Sequence, residues 1–159
     1  YEGTTAIQAN DLVGRKTSRD GGQTALAIAQ QIATTEAELA QSGSAHAQAV
    51  LKRLTAARLA FEDAVKFVAG HTKADPNAVF AGSVPYLMLA GNVVAGWQLA
   101  RALLVAEDQL AAGTDAAFMQ AKITTARFYA DHILSRAPGV RDSVVDGADA
   151  VTAMVVDAF

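Results

Sequence analysis

The sequence lacks cysteine altogether, has only three prolines, and carries aromatic side chains at 6% of its 159 positions. Without cysteine, disulfide bonds, cysteine-ligated zinc and thiol catalysis are all excluded. The same absence agrees with a reducing compartment, so we expect a cytoplasmic location, although many secreted proteins also lack cysteine. An excess of positive charge is missing too: 13 basic and 16 acidic residues give a net charge of -3. Nucleic acid is therefore not an expected partner.

Histidine is scarce, and the motifs of common active sites are absent from the sequence. The three histidines stand in separate segments and match no metal-binding spacing. There is no glycine-rich phosphate loop, no nucleophile elbow and no Glu-x-x-His pair. We therefore expect no metal site. His46 and His71 are predicted at the surface or at helix ends, whereas His132 is predicted in the core beside Phe128 and Tyr129.

Charged residues give few functional signals. Arg58 and Arg101 interrupt apolar stretches, so each is expected to snorkel, to pair with an acid or to meet a partner surface. Two acidic pairs are adjacent or next-adjacent on a helix and do not share a face, so they are predicted to be solvated. These pairs are Glu36 with Glu38, and Glu107 with Asp108.

Alanine is abundant, at more than a fifth of the positions, and 52% of the residues are hydrophobic. Summed helix propensity is high almost everywhere, and no alternating β pattern is present. Glycine and proline clusters divide the chain into six helical pieces, one of them short. The fold class predicted from these features is all-α, an up-and-down helical bundle with short loops.

Two helices show the apolar stripe of a bundle helix. We predict helices from about residue 23 to 41 and from about residue 45 to 69. A seventeen-residue run from 84 to 100 has only two strongly polar side chains, so a membrane span is weighed against a buried bundle helix. We predict a fully buried helix and no span, because proline and glycine interrupt the run, Arg101 continues it, and anchoring flanks are missing.

The last two predicted helices run from about 116 to 137 and from 140 to 159. The first has two apolar faces that are both expected to be buried. The second carries one valine- and alanine-rich stripe that is predicted to face the core, and the stripe includes Val144, Val151 and Val155. The large side chains are assigned to the core rather than to a ligand pocket. These are Trp97, Phe118, Met119, Phe128 and Tyr129.

The N-terminal segment is different from the rest. It places Glu2 directly before Gly3 and Thr4, and a helix is predicted from about residue 6 to 16. Glycine permits close approach of a ligand, and a helix start offers backbone N–H groups to negative charge. A glutamate held against an apolar pocket has a raised proton affinity, as proton abstraction requires. Taken alone, the same residues also fit an ordinary capping turn.

The pattern Tyr1-Glu2-Gly3-Thr4 followed by Ile7-Gln8 resembles the active-site segment of the acyl-CoA dehydrogenases. The continuation to Lys16 is similar to the branch of that family with an additional C-terminal domain, which includes long-chain bacterial members and 3-methylmercaptopropionyl-CoA dehydrogenases. The segments 86–91 and 121–134 resemble that extra domain. The resemblance implies that residues 1–20 end a catalytic core and that residues 21–159 form an appended helical bundle.

The resemblance also implies chemistry. Glu2 would remove the proton beside the thioester carbonyl while a hydride passes to FAD, giving a trans-2-enoyl-CoA. Tyr1 and Gly3 would contact the acyl-CoA substrate, and Thr4, Thr5 and Ala6 the FAD. An electron-transfer flavoprotein and a homo-oligomer are the implied partners. Because the rest of the catalytic core is expected to precede residue 1, the chain alone is expected to be inactive.

Two alternatives remain open at this stage. An acyl-CoA oxidase would use the same base with oxygen as electron acceptor. A non-catalytic helical domain for oligomerisation or structural support would need no active site at all.

Overall fold

The computed structural model describes residues 3–158, and this part of the chain consists of helices joined by short turns, with no strand. The predicted all-α fold is confirmed. The α-helices are α1 (Thr5–Asp11), α2 (Gln23–Ser42), α3 (Ala45–His71), α4 (Pro76–Ala81), α5 (Ser83–Ala111), α6 (Ala116–His132), α7 (Ala137–Val145) and α8 (Ala148–Thr152). A π-helix, Leu12–Thr17, continues α1 directly.

Helices α2 and α3 form the predicted antiparallel pair, and local signals explain their bounds. Gly43 ends α2 in the left-handed conformation, with a φ of 71°. Ser44 then begins α3, because its side chain accepts a hydrogen bond from the Ala47 amide at 2.9 Å. Helix α3 lies at the centre of the bundle and packs against α2, α5, α6 and α7.

Helix α5 is buried along one side only, so the prediction of a fully buried helix is wrong. Its buried positions recur every three or four residues, and only 28% of its most apolar window is buried. The opposite side exposes apolar side chains such as Met88, which is 52% exposed. By length and composition alone, α5 is also the one helix of the described residues that is long and apolar enough to cross a membrane.

The C-terminal part corrects the sequence prediction of one long last helix. Helix α7 already begins at Ala137, because a proline in the first turn is compatible with a helix start. It ends at Val145, and the short α8 follows after Gly147. Val151 and Val155 were predicted on the buried stripe but are exposed. The break at Asp146 and Gly147 turns the last residues away from the predicted stripe.

The second apolar face of α6 is also not buried as predicted. Phe118 and Phe128, both assigned to the core, are more than half exposed. His132 is exposed rather than buried, and its ring stacks on Phe128 with the centroids 4.5 Å apart. The side of α6 that does face the core presents Ile123 and Ala126. The alanines of that side, Ala126 and Ala130, let the helix approach α3 and α5, and Phe118 and Phe128 lie outside this contact.

Gly82, which precedes α5, provides a test of this packing. A Cβ atom at Gly82 would lie 2.9 Å from the Val144 carbonyl oxygen and 3.1 Å from its Cα. Backbone atoms cannot rotate away, so we expect Gly82→Ala to lower the free energy of unfolding by about 1–3 kcal/mol. Urea denaturation measures this. Gly70→Ala is the control, because nothing lies within 4 Å of its Cβ position. Equal losses in both variants would contradict the packing described here.

Candidate functional site

The start of α1 carries the residues that the sequence singled out. Gly3, Thr4 and Ala6 are exposed, and Thr5 is half-buried. The Gln8 amide donates to the Thr4 carbonyl oxygen at 2.9 Å, which makes Thr4 the residue from which the helix begins. The predicted base Glu2 and its neighbour Tyr1 lie outside the described residues. The residues predicted to contact the cofactor therefore lie at or near the surface of the described chain.

The predicted turn is attached to a rigid support. Ala9 and Val13 are completely buried, and α1 packs against α5. Within the π-helix, the Cβ position of Gly14 lies 3.3 Å from the Phe80 ring, so this helix approaches α4 closely. Helix α1 and the π-helix, which follow the predicted active-site turn, thus contribute buried side chains to the core. A displacement of α1 would disrupt apolar packing in the bundle.

A buried hydroxyl pair fixes the end of the same segment. The Thr17 and Tyr86 hydroxyl groups are 2.9 Å apart and share a hydrogen bond. Thr17 is 4% exposed and Tyr86 is 1% exposed. Burial raises the pKa of Tyr86 above its ordinary value, so its side chain stays neutral and can donate to Thr17 at neutral pH. Sequence analysis missed this pair, since the two residues are 69 positions apart.

We expect Tyr86→Phe to lower the free energy of unfolding by about 1–3 kcal/mol, because it leaves the Thr17 hydroxyl buried without its partner. The double variant Tyr86→Phe, Thr17→Val should be less destabilised than the sum of the two single variants. Chemical denaturation of the four proteins measures this coupling. Strict additivity would show that the hydroxyl pair contributes nothing specific.

The charged run after the π-helix caps α2. The Asp20 carboxylate accepts hydrogen bonds from the Gly22 and Thr24 amides, both at 3.0 Å. Hydrogen bonding from Thr24, above all, holds the pKa of Asp20 below its ordinary value. Gly22 has a φ of 81°, and a Cβ atom there would meet a Val65 methyl at 2.7 Å. The predicted domain boundary near residue 20 is therefore an ordered connection, and the boundary itself stays a prediction.

A groove of about 880 Å³ lies between helices α2 and α5 and the stretch from Leu12 to Asp20, which comprises the π-helix and the turn after it. Its floor is apolar and includes Ile28, Phe61 and Val94, whereas Lys16 and Arg19 line its charged part. Such a groove suits an apolar ligand or side chain with a few polar contacts. The described lining residues do not include a histidine, and the carboxylate among them, Asp20, is held by the backbone amides at the start of α2.

An ion network between α2 and α3 was also missed. The Arg58 guanidinium donates to both carboxylate oxygens of Glu36, at 2.8 and 2.9 Å, and to Glu62 at 2.7 Å. The bonds to Glu36, above all, hold the pKa of Arg58 above its ordinary value. Glu36 is buried at 8% exposure, so the prediction that it is solvated is wrong. Arg58 pairs with acids, which is one of the alternatives predicted for it.

The other charged residues singled out by sequence lie closer to solvent. Arg101 lies over the Trp97 ring, with its guanidinium carbon 5.6 Å from the ring centroid. Glu107 is half-buried and accepts hydrogen bonds from the Ser42 and Ser44 hydroxyls, so it joins α5 to the turn between α2 and α3. Glu38, Asp108, His46 and His71 are exposed. Between residues 3 and 158, no group of three or more metal-ligating side chains comes together.

Comparison with known proteins identifies the fold family. The family described as acetyl-CoA dehydrogenase C-terminal like matches residues 27–155. The chain is 49% identical over 151 residues to 3-methylmercaptopropionyl-CoA dehydrogenase from Ruegeria pomeroyi, an alignment that covers 95% of this chain and 26% of that protein. It is 31% identical over 156 residues to the broad-specificity linear acyl-CoA dehydrogenase FadE5 from Mycobacterium tuberculosis, covering 91% of this chain and 25% of that protein.

These matches cover nearly the whole chain, and the chain spans about a quarter of the length of both relatives. The family match alone begins within α2, at residue 27, and ends at residue 155, just after α8. It agrees with the resemblance found in the sequence. The chain therefore belongs to the acetyl-CoA dehydrogenase C-terminal-like family, which is the C-terminal part of acyl-CoA dehydrogenases.

Proposed function

We propose that this chain is the C-terminal part of an FAD-dependent acyl-CoA dehydrogenase that oxidises an acyl-CoA to a trans-2-enoyl-CoA. The observation that carries the proposal is the 49% identity, over 95% of the chain, to a relative named 3-methylmercaptopropionyl-CoA dehydrogenase. The motif from Tyr1 to Gln8 adds a chemical reason, because it supplies a carboxylate beside a glycine at a helix start. We further propose that the parent is a cytoplasmic homo-oligomer that passes electrons to an electron-transfer flavoprotein.

Glu2 is the proposed base, and Tyr1 and Gly3 are the proposed substrate contacts. The proton on the carbon beside a thioester is weakly acidic, so a carboxylate must act together with groups that stabilise the developing enolate. Gly3 has no side chain and lies at the surface, which permits a thioester to approach the backbone. The enolate-stabilising groups would come from the remaining part of the parent.

Thr4, Thr5 and Ala6 are the proposed contacts to FAD. Their fit is supported by position, since Thr4 and Ala6 are exposed and Thr5 is half-buried at the start of α1. Two hydroxyl groups and the backbone there are suited to the polar edge of a nucleotide, and the small Ala6 leaves its contact to the backbone. FAD, when bound, would accept the hydride from the β carbon.

The bundle is proposed to hold this turn in place. Ala9, Val13 and Thr17 fix α1 and the π-helix to the core, so the proposed contacts from Thr4 to Ala6 directly precede a well-packed segment. Catalytic groups need such support, because small displacements of a base from the substrate are costly. In this proposal the bundle is a structural support, as in the non-catalytic alternative, but what it supports is an active-site turn.

The test is an assay of the full-length parent with acyl-CoA. We expect reduction of an artificial dye and formation of enoyl-CoA, with slow turnover when oxygen is the only acceptor. Fast turnover with oxygen would make the parent an oxidase instead. No turnover with any acyl-CoA would contradict the catalytic proposal and leave the support domain. The 159-residue chain alone, given FAD and acyl-CoA, should show no turnover, because most of the groups that act with the base are missing.

A further inference from the structure

The helix that follows the predicted active-site turn changes type halfway along. It is an α-helix over Thr5–Asp11 and a π-helix over Leu12–Thr17. At the end of the π-helix, the Ser18 amide donates to the Val13 carbonyl oxygen, five residues back, at 2.9 Å. Hydrogen bonds in an α-helix span four residues, so the π turn contains more residues and is wider. Such turns are rare and occur frequently at functional sites, so this one requires a physical explanation.

The π turn brings one set of side chains towards the same face. Ala9, Val13 and Thr17 occur four positions apart and are all buried. In an uninterrupted α-helix each step of four residues passes a full turn by about 40°, so Thr17 would lie about 80° around the axis from Ala9. The wider π turn reduces this angle. It therefore helps to place Thr17 on the side of the helix that packs against α5.

Helix α5 holds the end of the π-helix through one hydroxyl group. The Tyr86 hydroxyl shares a hydrogen bond with the Thr17 hydroxyl at 2.9 Å. The Tyr86 ring is itself fixed, because it is 1% exposed and stacks on Phe61 of α3, with the ring centroids 6.3 Å apart. This bond thus connects the helix of the turn to α5 and, through the stacked rings, to the central helix of the bundle.

Rotation of this helix about its axis would displace the active-site turn. Helix α1 and the π-helix are continuous, so a rotation at Thr17 also turns the residues from Thr4 to Ala6. Side chains extend about 5–6 Å from a helix axis, so a rotation of about 10° moves their ends by about 1 Å. In an active site, a displacement of about 1 Å can lower the rate about a hundredfold.

We propose that Tyr86 is a positioning residue for acyl-CoA oxidation: through Thr17 and the π-helix it sets the rotation of α1, and hence the position of the active-site turn. Thr17 stands thirteen positions after Thr4, roughly 20 Å along the helix, so neither hydroxyl contacts the turn itself. This role rests on the function proposed above, because the turn has a reaction to serve only in the parent enzyme.

Two matched threonine variants of the full-length parent test the proposal. Thr17→Val removes the hydroxyl that bonds to Tyr86 and keeps the shape of the side chain. Thr35→Val makes the same change in α2, at a residue that is 5% exposed and accepts a hydrogen bond from the Trp97 indole N–H at 2.8 Å. Both variants lose one side-chain hydrogen bond to an aromatic residue of α5, so their losses of stability should be similar. Only Thr17 lies on the helix of the turn.

We expect kcat of Thr17→Val to fall about 10- to 100-fold, whereas Thr35→Val should keep kcat within about twofold of the natural value. KM should change much less than kcat, because the substitution displaces the base and removes no contact to the substrate. Tyr86→Phe should slow turnover as Thr17→Val does, and the double variant should be no slower than either single variant, since all three lack the same bond. Thr17→Ser keeps the hydroxyl and should retain about half of kcat or more.

Deletion of Gly14 tests the π-helix itself. Removing one residue from the π turn rotates the active-site turn by about 100° relative to Thr17. We expect kcat of the parent to fall at least about a hundredfold, although circular dichroism shows it to be folded. A folded variant with the kcat of the natural parent would overturn the role of the π-helix. If the deletion prevents folding, the threonine variants decide alone.

Failure of this role and failure of the proposed function give different results. If the natural parent oxidises acyl-CoA but Thr17→Val and Thr35→Val have equal kcat values, the positioning role of Tyr86 is overturned and the proposed function stands. Loss of activity in Thr17→Ser as large as in Thr17→Val would also overturn the role, because the hydroxyl would then not matter. If the natural parent oxidises no acyl-CoA, the proposed function is overturned and the positioning role with it.

Discussion

Replacing Glu2 with glutamine in the full-length parent is expected to lower kcat for acyl-CoA oxidation by about 10²–10⁴-fold. Glutamine keeps the size of the side chain but cannot accept the α proton. Binding of the acyl-CoA should change much less, because the substitution removes a group needed in the transition state rather than a binding contact. Steady-state kinetics with an artificial dye, together with a binding titration, measure both quantities.

Glu38→Gln is the matched control for this substitution. Glu38 lies on α2, is exposed, and makes no ion pair in the described part of the chain. Its variant should retain the kcat of the natural protein. If Glu2→Gln and Glu38→Gln both kept full activity, the base would have to be another residue and the assignment of Glu2 would be wrong.

Arg58→Ala is expected to have the largest effect on stability, lowering the free energy of unfolding by about 3 kcal/mol. The substitution leaves the buried Glu36 carboxylate without its two hydrogen bonds and without a counter-charge. For a domain of this size the loss corresponds to about 6–12 °C in Tm. Urea denaturation and thermal unfolding measure it.

Arg53→Ala is the control for the ion network. Arg53 also lies on α3, but its side chain is 39% exposed and its nitrogen is 3.6 Å from Asp131. Such an exposed pair contributes at most about 1 kcal/mol. Replacing Arg58 and Glu36 together with methionine should restore part of the loss, since the buried Glu36 charge is removed together with its partner. Equal costs for Arg58→Ala and Arg53→Ala would contradict a buried network.

The sequence predicts elements whose ends are set locally. Helices α2 and α3 are bounded by Gly43 and Ser44, which act through their own backbone and side chain, so both helices were predicted to within two residues. The break near Gly147 also has a local signal, the Asp146-Gly147 dipeptide, but the valine- and alanine-rich stripe that continues past it was taken as one helix. The last helix was therefore predicted too long.

Burial was harder to predict than helix position. Glu36 occurs at helical spacing from Ile32 and Leu39, and Arg58 stands four residues before Glu62, so the pattern for a buried ion network was present. It was overlooked because acidic residues are usually exposed. Phe118 and Phe128 were assigned to the core because large aromatic side chains are usually buried, but both are more than half exposed.

The candidate site depends both on a local sequence motif and on contacts between residues that are distant in the sequence. The turn from Tyr1 to Ala6 is visible only as a motif, because its chemistry depends on residue types. Its support, the Thr17 and Tyr86 pair and the packing of α1 against α5, depends on contacts between distant parts of the chain. Sequence therefore suggests the reaction, and the structure explains what holds the turn.

The most direct test of the central claim is a crystal structure of the full-length parent with a bound acyl-CoA analogue. We predict that a Glu2 carboxylate oxygen lies within about 3.5 Å of the carbon beside the thioester carbonyl, as a near-attack geometry requires. A Glu2 side chain that points into bulk solvent, away from the thioester, would contradict the proposed mechanism.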